Sequence, residues 1–279
     1  MNIVHAVILG IVEGVTEFLP VSSTGHLTIV EKVFGYKIDD PGVTAFTAII
    51  QIGAIVAAVW YFRADIVRIL SAWTRGLFDR SSRKEADYRY GWAIILGSMP
   101  IAVVGLLFHH TIETTFRNMW WVAGALIAWS AVMWLADRFA SQRRTEKAVG
   151  WRDTLCIGLA QCLALIPGVS RSGATMSAGL VAGLDRVAVT KLSFFLGIPA
   201  LVAAGVMQAV TKYDDIVIHG VGWTPTLVAT AVSGLVGYFS IAWLLKFIAN
   251  NTFSLFIWYR VIIGLVITVL IISGAIAVV

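Results

Sequence analysis

The residues best suited to chemistry stand in one short stretch, from Glu13 to His26, of a chain that is otherwise mostly apolar. On a helix, Glu13 and Glu17 lie one turn apart and share a face. Pro20 ends that helix because it lacks an N–H group and restricts the residue before it. Four residues then suit the start of a second helix: Ser22, Ser23, Thr24 and Gly25. The stretch predicts a helix, a break and a helix, with carboxylates facing an anion-binding helix start.

A second stretch, from Gln161 to Thr175, has the same organisation with different chemistry. Pro167 breaks the chain, and Arg171 stands among hydroxyl groups where the next helix should begin. Arginine offers a planar fork of donors for phosphate or carboxylate, and it keeps its charge where solvation is poor. Polar residues expected to bind the same ligand are Ser22, Thr24, Gln51, Gln161, Ser170, Ser172, Gly173 and Thr175. For Gln51, Gln161 and Thr175 the alternative is a hydrogen bond between membrane helices.

Composition places the chain in the membrane class, since 58% of its residues are hydrophobic and only 13% are charged. A hydrocarbon layer of about 30 Å takes roughly 20 apolar residues to cross. Runs of that length predict spans at 43–62, 91–108, 119–137, 188–211, 224–247 and 255–278. The net charge of +5 comes mainly from loops, which indicates orientation and lipid contact and argues against a nucleic-acid partner.

The two stretches belong to a predicted internal duplication. A shift of 148 residues places Gly10 on Gly158 and Glu13 on Gln161. We expect one membrane domain over 1–279, with repeat 1 at about 1–148 and repeat 2 at about 149–279. Each repeat would hold a re-entrant broken helix pair followed by three transmembrane helices.

Loop charge gives the expected orientation. Basic residues concentrate in the predicted loops 63–90 and 138–152, and the positive-inside rule puts both in the cytoplasm. The first broken pair then enters from outside and the second from inside. This predicts an all-α polytopic protein with two inverted-topology repeats and a site at their interface that faces outwards.

The sequence EGVTEFLPVSSTGH, paired with PGVSRSGAT, resembles the undecaprenyl-pyrophosphate phosphatase family of the bacitracin-resistance type. The similarity continues through Gln161-Cys-Leu-Ala-Leu, Ser193-Phe-Phe-Leu and Tyr259-Arg260, so it covers nearly the whole chain. The resemblance implies hydrolysis of undecaprenyl diphosphate to the monophosphate in the bacterial inner membrane, which recycles the lipid carrier for peptidoglycan. It also implies a divalent-metal requirement and site residues at Glu13, Glu17, Ser23, His26 and Arg171.

A mechanism can be assigned to those residues. Glu13 and Glu17 would hold Mg²⁺ or Ca²⁺, because two carboxylates facing a diphosphate would otherwise repel it. Arg171 would stabilise charge on the transferred phosphoryl group. His26 is the expected general acid or base. Ser23 is either a nucleophile activated by His26 or a donor that positions the phosphate.

Several alternatives remain at this point. A transporter or flippase of a lipid phosphate could use the same inverted-repeat site. A lipid phosphatase with a histidine nucleophile does not fit, because the segment that directly follows Ser170-Arg171, Ser172-Gly-Ala-Thr-Met-Ser-Ala-Gly-Leu, holds no histidine or acid. We expect Arg260 to extend to the membrane interface, and a surface turn to hold His109, His110 and Glu113. The oligomeric state is open, a homodimer included.

Overall fold

The structure, a computed structural model, describes residues 1–37, 40–114, 118–211 and 221–276, without the side chains of 109–114, 204 and 208–211. Within these ranges the fold is all-α. The helices are α1 (Ile3–Thr16), α2 (Ser23–Val33), α3 (Pro41–Tyr61), α4 (Arg63–Phe78), α5 (Ala86–Thr114), α6 (Met119–Phe139), α7 (Trp151–Gln161), α8 (Arg171–Val181), α9 (Arg186–Thr211), α10 (Trp223–Ile248) and α11 (Ser254–Ile272).

Six of these helices are long and apolar enough to cross a membrane: α3, α5, α6, α9, α10 and α11. They coincide with the six spans predicted from hydropathy, so the all-α polytopic fold is confirmed. The predicted core of each span is a run of aliphatic and small residues, whose backbone groups can be satisfied in lipid only within a helix.

Two helix pairs are too short to span. In the first pair α1 has 14 residues and α2 has 11, and in the second α7 and α8 have 11 each. At 1.5 Å per residue these helices reach about 16–21 Å, well under the roughly 30 Å of a hydrocarbon core. Residues 17–22 form the first break and residues 162–170 the second break, which are the positions that Pro20 and Pro167 predicted.

Each broken pair docks on a long helix through glycine. A Cβ added at Gly10 would lie 2.5 Å from the carbonyl oxygen of Ala229, and one at Gly158 would lie 2.0 Å from that of Gly97. The backbones of α1 and α10, and of α7 and α5, therefore touch at the two positions that the sequence shift superimposes. The inverted membrane orientation and the repeat boundaries stay predictions.

The charged region 63–90 is not a loop, and that prediction was wrong. Helix α4 covers most of it, and the helix buries Ile69 and Ala72 while it exposes Val67 and Leu70. An ion pair of 2.9 Å between Arg68 and Asp65 supports the helix on its polar side. The many charged residues of this region hid the amphipathic pattern of α4, in which apolar residues recur at the spacing of one helix face.

The turn expected at 109–118 is largely helical as well. The backbone of α5 continues as helix to Thr114. The side chains of His109, His110 and Glu113 lie outside the described residues.

Candidate active site

The carboxylate of Glu17 is where the two breaks meet. Its Oε2 accepts hydrogen bonds from Ser23 Oγ at 2.7 Å and from Gln51 Nε2 at 3.3 Å. Its Oε1 accepts from Arg171 Nη2 at 3.1 Å, which is also an ion pair. The side chain of Glu17 is only 4% exposed. One carboxylate thus joins the first break, α3 and the second broken pair.

The two donors that reach Glu17 occupy matching places in the fold. Ser23 is the first residue of α2 and Arg171 is the first residue of α8. Each follows a serine N-cap, Ser22 or Ser170, whose φ of 77° or 75° lies in the left-handed region. Such backbone is unfavourable for a residue with a Cβ and concentrates at functional sites. The strained caps turn both helix starts towards Glu17.

These helix starts also offer backbone donors. Ser22 Oγ accepts from Gly25 N at 3.4 Å, and Ser170 Oγ accepts from Gly173 N at 3.2 Å. Each cap satisfies one N–H group, while the first turn of a helix has four that lack intrahelical partners. Two such turns beside one cavity favour an anion.

A cavity of about 440 Å³ opens beside Glu17. Its polar wall comes from Glu17, Ser22, Ser23, Thr24, Gln51, Ser170 and Arg171. Its apolar wall comes from the second break, α5 and α9, at Ala164, Leu165, Pro167, Gly168, Ile101, Ala102, Gly105, Leu106, Ala200, Leu201, Ala203 and Met207. A cavity with one ionic end and one hydrocarbon wall suits an amphiphile with a charged headgroup.

Arg171 is fixed in place on one side. Its Nη1 donates to the carbonyl of Ser193 at 3.0 Å, and a Cβ at Gly197 would lie 2.0 Å from that nitrogen. Only glycine at 197 leaves room for the guanidinium against α9. Within the described residues, the buried Nε of Arg171 has no hydrogen-bond partner.

Glu13 lies one helical turn before Glu17 and behind the cavity wall. It is 1% exposed, and its Oε1 has no hydrogen-bond partner among the described residues. A buried, unpaired carboxylate oxygen is costly unless a proton or a cation satisfies it. The carboxylate oxygens of Glu13 and Glu17 are the type of ligand that a hard cation prefers. No group of three or more His, Cys, Asp or Glu residues assembles in the described part of the chain, so substrate oxygens or water would complete the ligand set.

His26 is not on the cavity, which disagrees with its predicted role as general acid or base. Its Nδ1 lies 2.7 Å from the carbonyl oxygen of Ser22, so Nδ1 carries hydrogen and donates. Its Nε2 lies 2.7 Å from the hydroxyl of Tyr259, and the two rings stack with centroids 5.4 Å apart. Both ring nitrogens are engaged, since Nδ1 binds the N-cap residue of α2 and Nε2 holds α2 against α11. The hydrogen bond to Ser23 that a base would need is made by Glu17 instead.

Four predicted substrate-binding residues also lie behind the site. Ser172 Oγ donates to the carbonyl of Leu19 at 3.0 Å, and Thr175 Oγ1 donates to Ser193 Oγ at 2.6 Å. Gly173 contributes its N–H to the cap of α8. Gln161 is fully buried, and neither atom of its amide has a partner in the described ranges. These residues support the second broken pair, whereas Ser22, Thr24, Gln51 and Ser170 do line the cavity.

The expectation that Arg260 extends to the interface is wrong. Arg260 is 0% exposed, and its guanidinium binds the carbonyl oxygens of Pro20 at 3.2 Å and Gly168 at 2.9 Å. An arginine within an apolar span is itself a signal, because ionisable groups inside a membrane default to functional roles. That rule would have marked Arg260 from the sequence.

Comparisons with known proteins agree with one another. A family model described as "Bacitracin resistance protein BacA" matches residues 6–266. Undecaprenyl-diphosphatase 3 of Frankia casuarinae is 60% identical over 277 residues, which cover 99% of both chains. The undecaprenyl-diphosphatase of Cutibacterium acnes is 57% identical over 282 residues, again 99% of both chains. Undecaprenyl-diphosphatase 1 of Streptomyces avermitilis is 49% identical over 278 residues, with the same coverage.

Proposed function

The chain belongs to the BacA family of bacitracin resistance proteins, and from this premise we propose that it is an undecaprenyl-diphosphatase. It hydrolyses undecaprenyl diphosphate to undecaprenyl phosphate and inorganic phosphate. The reaction recycles the lipid carrier for peptidoglycan and envelope synthesis and confers resistance to bacitracin. Relatives up to 60% identical over nearly the full length bear the enzyme's name, which favours hydrolysis over transport.

The observation that carries the proposal is the convergence of Ser23, Arg171 and Glu17 at the polar end of the cavity. The terminal phosphate binds there, where Arg171 and the starts of α2 and α8 supply positive charge. The prenyl chain lies along the apolar wall between α5 and α9. The polar end of the cavity therefore fits the diphosphate headgroup, and its apolar wall fits the prenyl tail.

Ser23 acts as the nucleophile and Glu17 as its base. The hydroxyl of Ser23 already donates to Glu17 Oε2 at 2.7 Å, so the proton has an acceptor as Oγ attacks the terminal phosphorus. The bond from that phosphorus to the bridging oxygen breaks, and undecaprenyl phosphate leaves with the bonding electrons. Water then attacks the phosphorus of phosphoserine 23, and the bond from that phosphorus to Oγ breaks. Glu17 returns its proton to Oγ, which restores Ser23, and the protons of the water leave with the inorganic phosphate.

Arg171 stabilises the charge that develops on the equatorial oxygens during both steps. Its contact with Ser193 holds the guanidinium still, so little reorganisation accompanies the reaction. Glu13 and Glu17 would hold a divalent cation, Mg²⁺ or Ca²⁺. When bound, such a cation neutralises the diphosphate and polarises its P–O bonds.

The protein acts as a multi-pass protein of the bacterial inner membrane, with its site opening outwards. The charge between the spans supports this orientation, because the basic residues of 63–90 and 138–152 favour the cytoplasmic side. A site that opens outwards would receive the lipid diphosphate where it is released from polymer synthesis.

The decisive experiment measures phosphate release from a C55 or C15 prenyl diphosphate by the detergent-purified protein, with and without EDTA. Release that needs metal supports the full proposal. Release that EDTA leaves unchanged keeps the enzyme and removes the metal role of Glu13 and Glu17. Tight binding of the prenyl diphosphate without phosphate release would contradict the hydrolase and favour a carrier.

A trapping experiment separates the two roles of Ser23. Rapid quenching with a substrate labelled in the terminal phosphate should give labelled phosphoserine at position 23, and the label should be absent from S23A. If S23A keeps substantial turnover, Ser23 only positions phosphate and water is the nucleophile.

A further inference from the structure

Arg260 is the largest fully buried side chain of the described residues, and it lies inside the apolar helix α11. Burying a guanidinium is unfavourable unless hydrogen bonds satisfy its donors. Here every partner is an uncharged oxygen. The partners are Gly168 O at 2.9 Å, Pro20 O at 3.2 Å, Ser130 Oγ at 3.3 Å and Ala125 O at 3.4 Å.

Two of these oxygens belong to the two breaks, at matching positions. The shift of 148 residues that superimposes the repeats places Pro20 on Gly168. One guanidinium therefore binds the corresponding carbonyl of both breaks, and Arg260 itself does not line the cavity. The other two oxygens belong to α6 and fix Arg260 itself.

The spacing from these carbonyls to the site is equal in both halves. Pro20 stands three residues before Ser23, and Gly168 stands three residues before Arg171. Ser23 and Arg171 are the two side chains that donate to opposite oxygens of Glu17. A shift of either break would move one donor relative to that carboxylate.

A second contact joins the first break to the start of α8. Ser172 Oγ donates to the carbonyl of Leu19 at 3.0 Å, 153 residues away in the sequence. We call the set formed by Arg260 with Pro20 and Gly168, and by Ser172 with Leu19, the break joint. Its contacts link the first break to the second break and to the start of α8.

We propose that Arg260 is a positioning residue, which holds the two breaks in register so that Ser23 and Arg171 meet at Glu17. The inference rests on the proposed function for its kinetic readout. Arg260 touches no group on the cavity wall except the backbone oxygen of Gly168, so it acts through geometry. A planar fork can bind two carbonyls at once, whereas a lysine ammonium on a single stem cannot reproduce that fork.

The test compares R260M and R260K with wild type by kcat and KM for a C15 prenyl diphosphate. Small misplacements of catalytic groups can lower the rate roughly 100-fold, and we expect a loss of that size in kcat for R260M with KM little changed. R260K should fall between R260M and wild type, because it restores a donor to one break.

The matched control is R186M. Arg186 is partly buried and pairs with Asp137 at 2.7 Å, away from both breaks. It should lower the melting temperature in detergent while the folded protein keeps its kcat. A wild-type kcat in R260M, or an equal kcat loss in R186M at a matched melting temperature, would overturn the positioning role.

A double-mutant cycle tests the joint itself. If Arg260 and Ser172 hold the same contact, R260K and S172A should be non-additive in kcat, whereas R260K and R186M should be additive. Additive losses in the first cycle would show that the two contacts act separately and would contradict a single joint.

A distance measurement keeps the joint testable apart from activity. After Cys156 and Cys162 are replaced by serine, spin labels at T24C and L163C report the separation of the two breaks. The dipolar coupling should be narrowly distributed in the otherwise unchanged protein and in R186M, and broad in R260M. A narrow distribution in R260M would overturn the joint. A wild type that releases no phosphate would instead defeat the proposed function.

Discussion

The first break and the second break have one backbone design and opposite chemistry. Both end in a left-handed serine N-cap, Ser22 with φ 77° and Ser170 with φ 75°, whose hydroxyl accepts from the glycine N–H three residues on. The residue after the cap is Ser23 in the first break and Arg171 in the second. The geometry is shared, and the side chains at a few positions differ.

The difference is larger at the residues that precede Pro20 and Pro167. Glu17 corresponds to Leu165 and Glu13 to Gln161 under the same shift. The two acidic groups thus lie in the first predicted repeat, and the cation lies in the second. The ion pair of 3.1 Å between Arg171 and Glu17 joins the two broken helix pairs. Neither broken pair alone carries both the acids and the cation, so the site needs both.

Removing the cation of the second break should have the largest effect. R171A deletes the positive charge and the guanidinium donors beside the transferred phosphate, and we expect kcat/KM to fall by roughly 10³-fold or more. The measurement is the rate of phosphate release per amount of protein that elutes as a monodisperse peak in size-exclusion chromatography. R171K keeps the charge without the fork and should recover only part of the loss. Near wild-type turnover in R171A would remove Arg171 from the site.

Neutralising the acid of the first break should come next. E17Q retains the shape of Glu17 but cannot take the proton of Ser23, and the loss of a general base is worth about 10²–10⁴ in rate. The expected fall in kcat is therefore of that order, checked by single-turnover phosphate release. E31Q is the control, because Glu31 is another buried acid, 4% exposed, that accepts from Thr47 at 2.7 Å and does not line the cavity. Equal losses in both variants would mean that burial, and not chemistry, matters at Glu17.

The sequence predicted the parts of this molecule that depend on local rules. Six spans followed from hydropathy, and the breaks followed from Pro20 and Pro167. The backbone positions of Ser23, Glu17 and Arg171 followed from motif spacing, since each lies within a few residues of a break. These features need no knowledge of what packs against them.

The features that the sequence could not place depend on distant packing. Which way His26 faces was decided by Tyr259, 233 residues later, and the direction of Ser172 was decided by Leu19. A helix start shows its donors in the sequence, but only the packed structure shows which side of that helix meets the cavity. Buried Arg260 belongs to the same class, since its partners come from three separate elements.

A smaller effect should follow when Glu13, which precedes the first break, is replaced by the amide that Gln161 carries before the second break. E13Q converts Glu13 into the residue found at its counterpart Gln161, with little change of shape. If Glu13 ligates Mg²⁺ or Ca²⁺, the metal concentration for half-maximal phosphate release should rise roughly 10-fold or more, as happens when support for a metal site is removed. The reverse change, Q161E, should leave the metal dependence unaltered. Identical metal titrations for E13Q and wild type would exclude Glu13 as a ligand.

The smallest effect concerns the two caps, where the breaks should behave alike. S22A and S170A each remove the oxygen that accepts from a glycine N–H but keep a Cβ at positive φ, so each should destabilise by about 1 kcal/mol. S22G and S170G also lose the oxygen, yet glycine tolerates the left-handed region and costs only a few tenths of a kcal/mol as an N-cap. Melting temperatures in detergent should therefore rank alanine below glycine at both positions, by similar amounts. If alanine melts below glycine at one break and above it at the other, the matching φ values do not reflect a shared backbone design. That result would contradict the comparison of the two breaks that supports the predicted repeat.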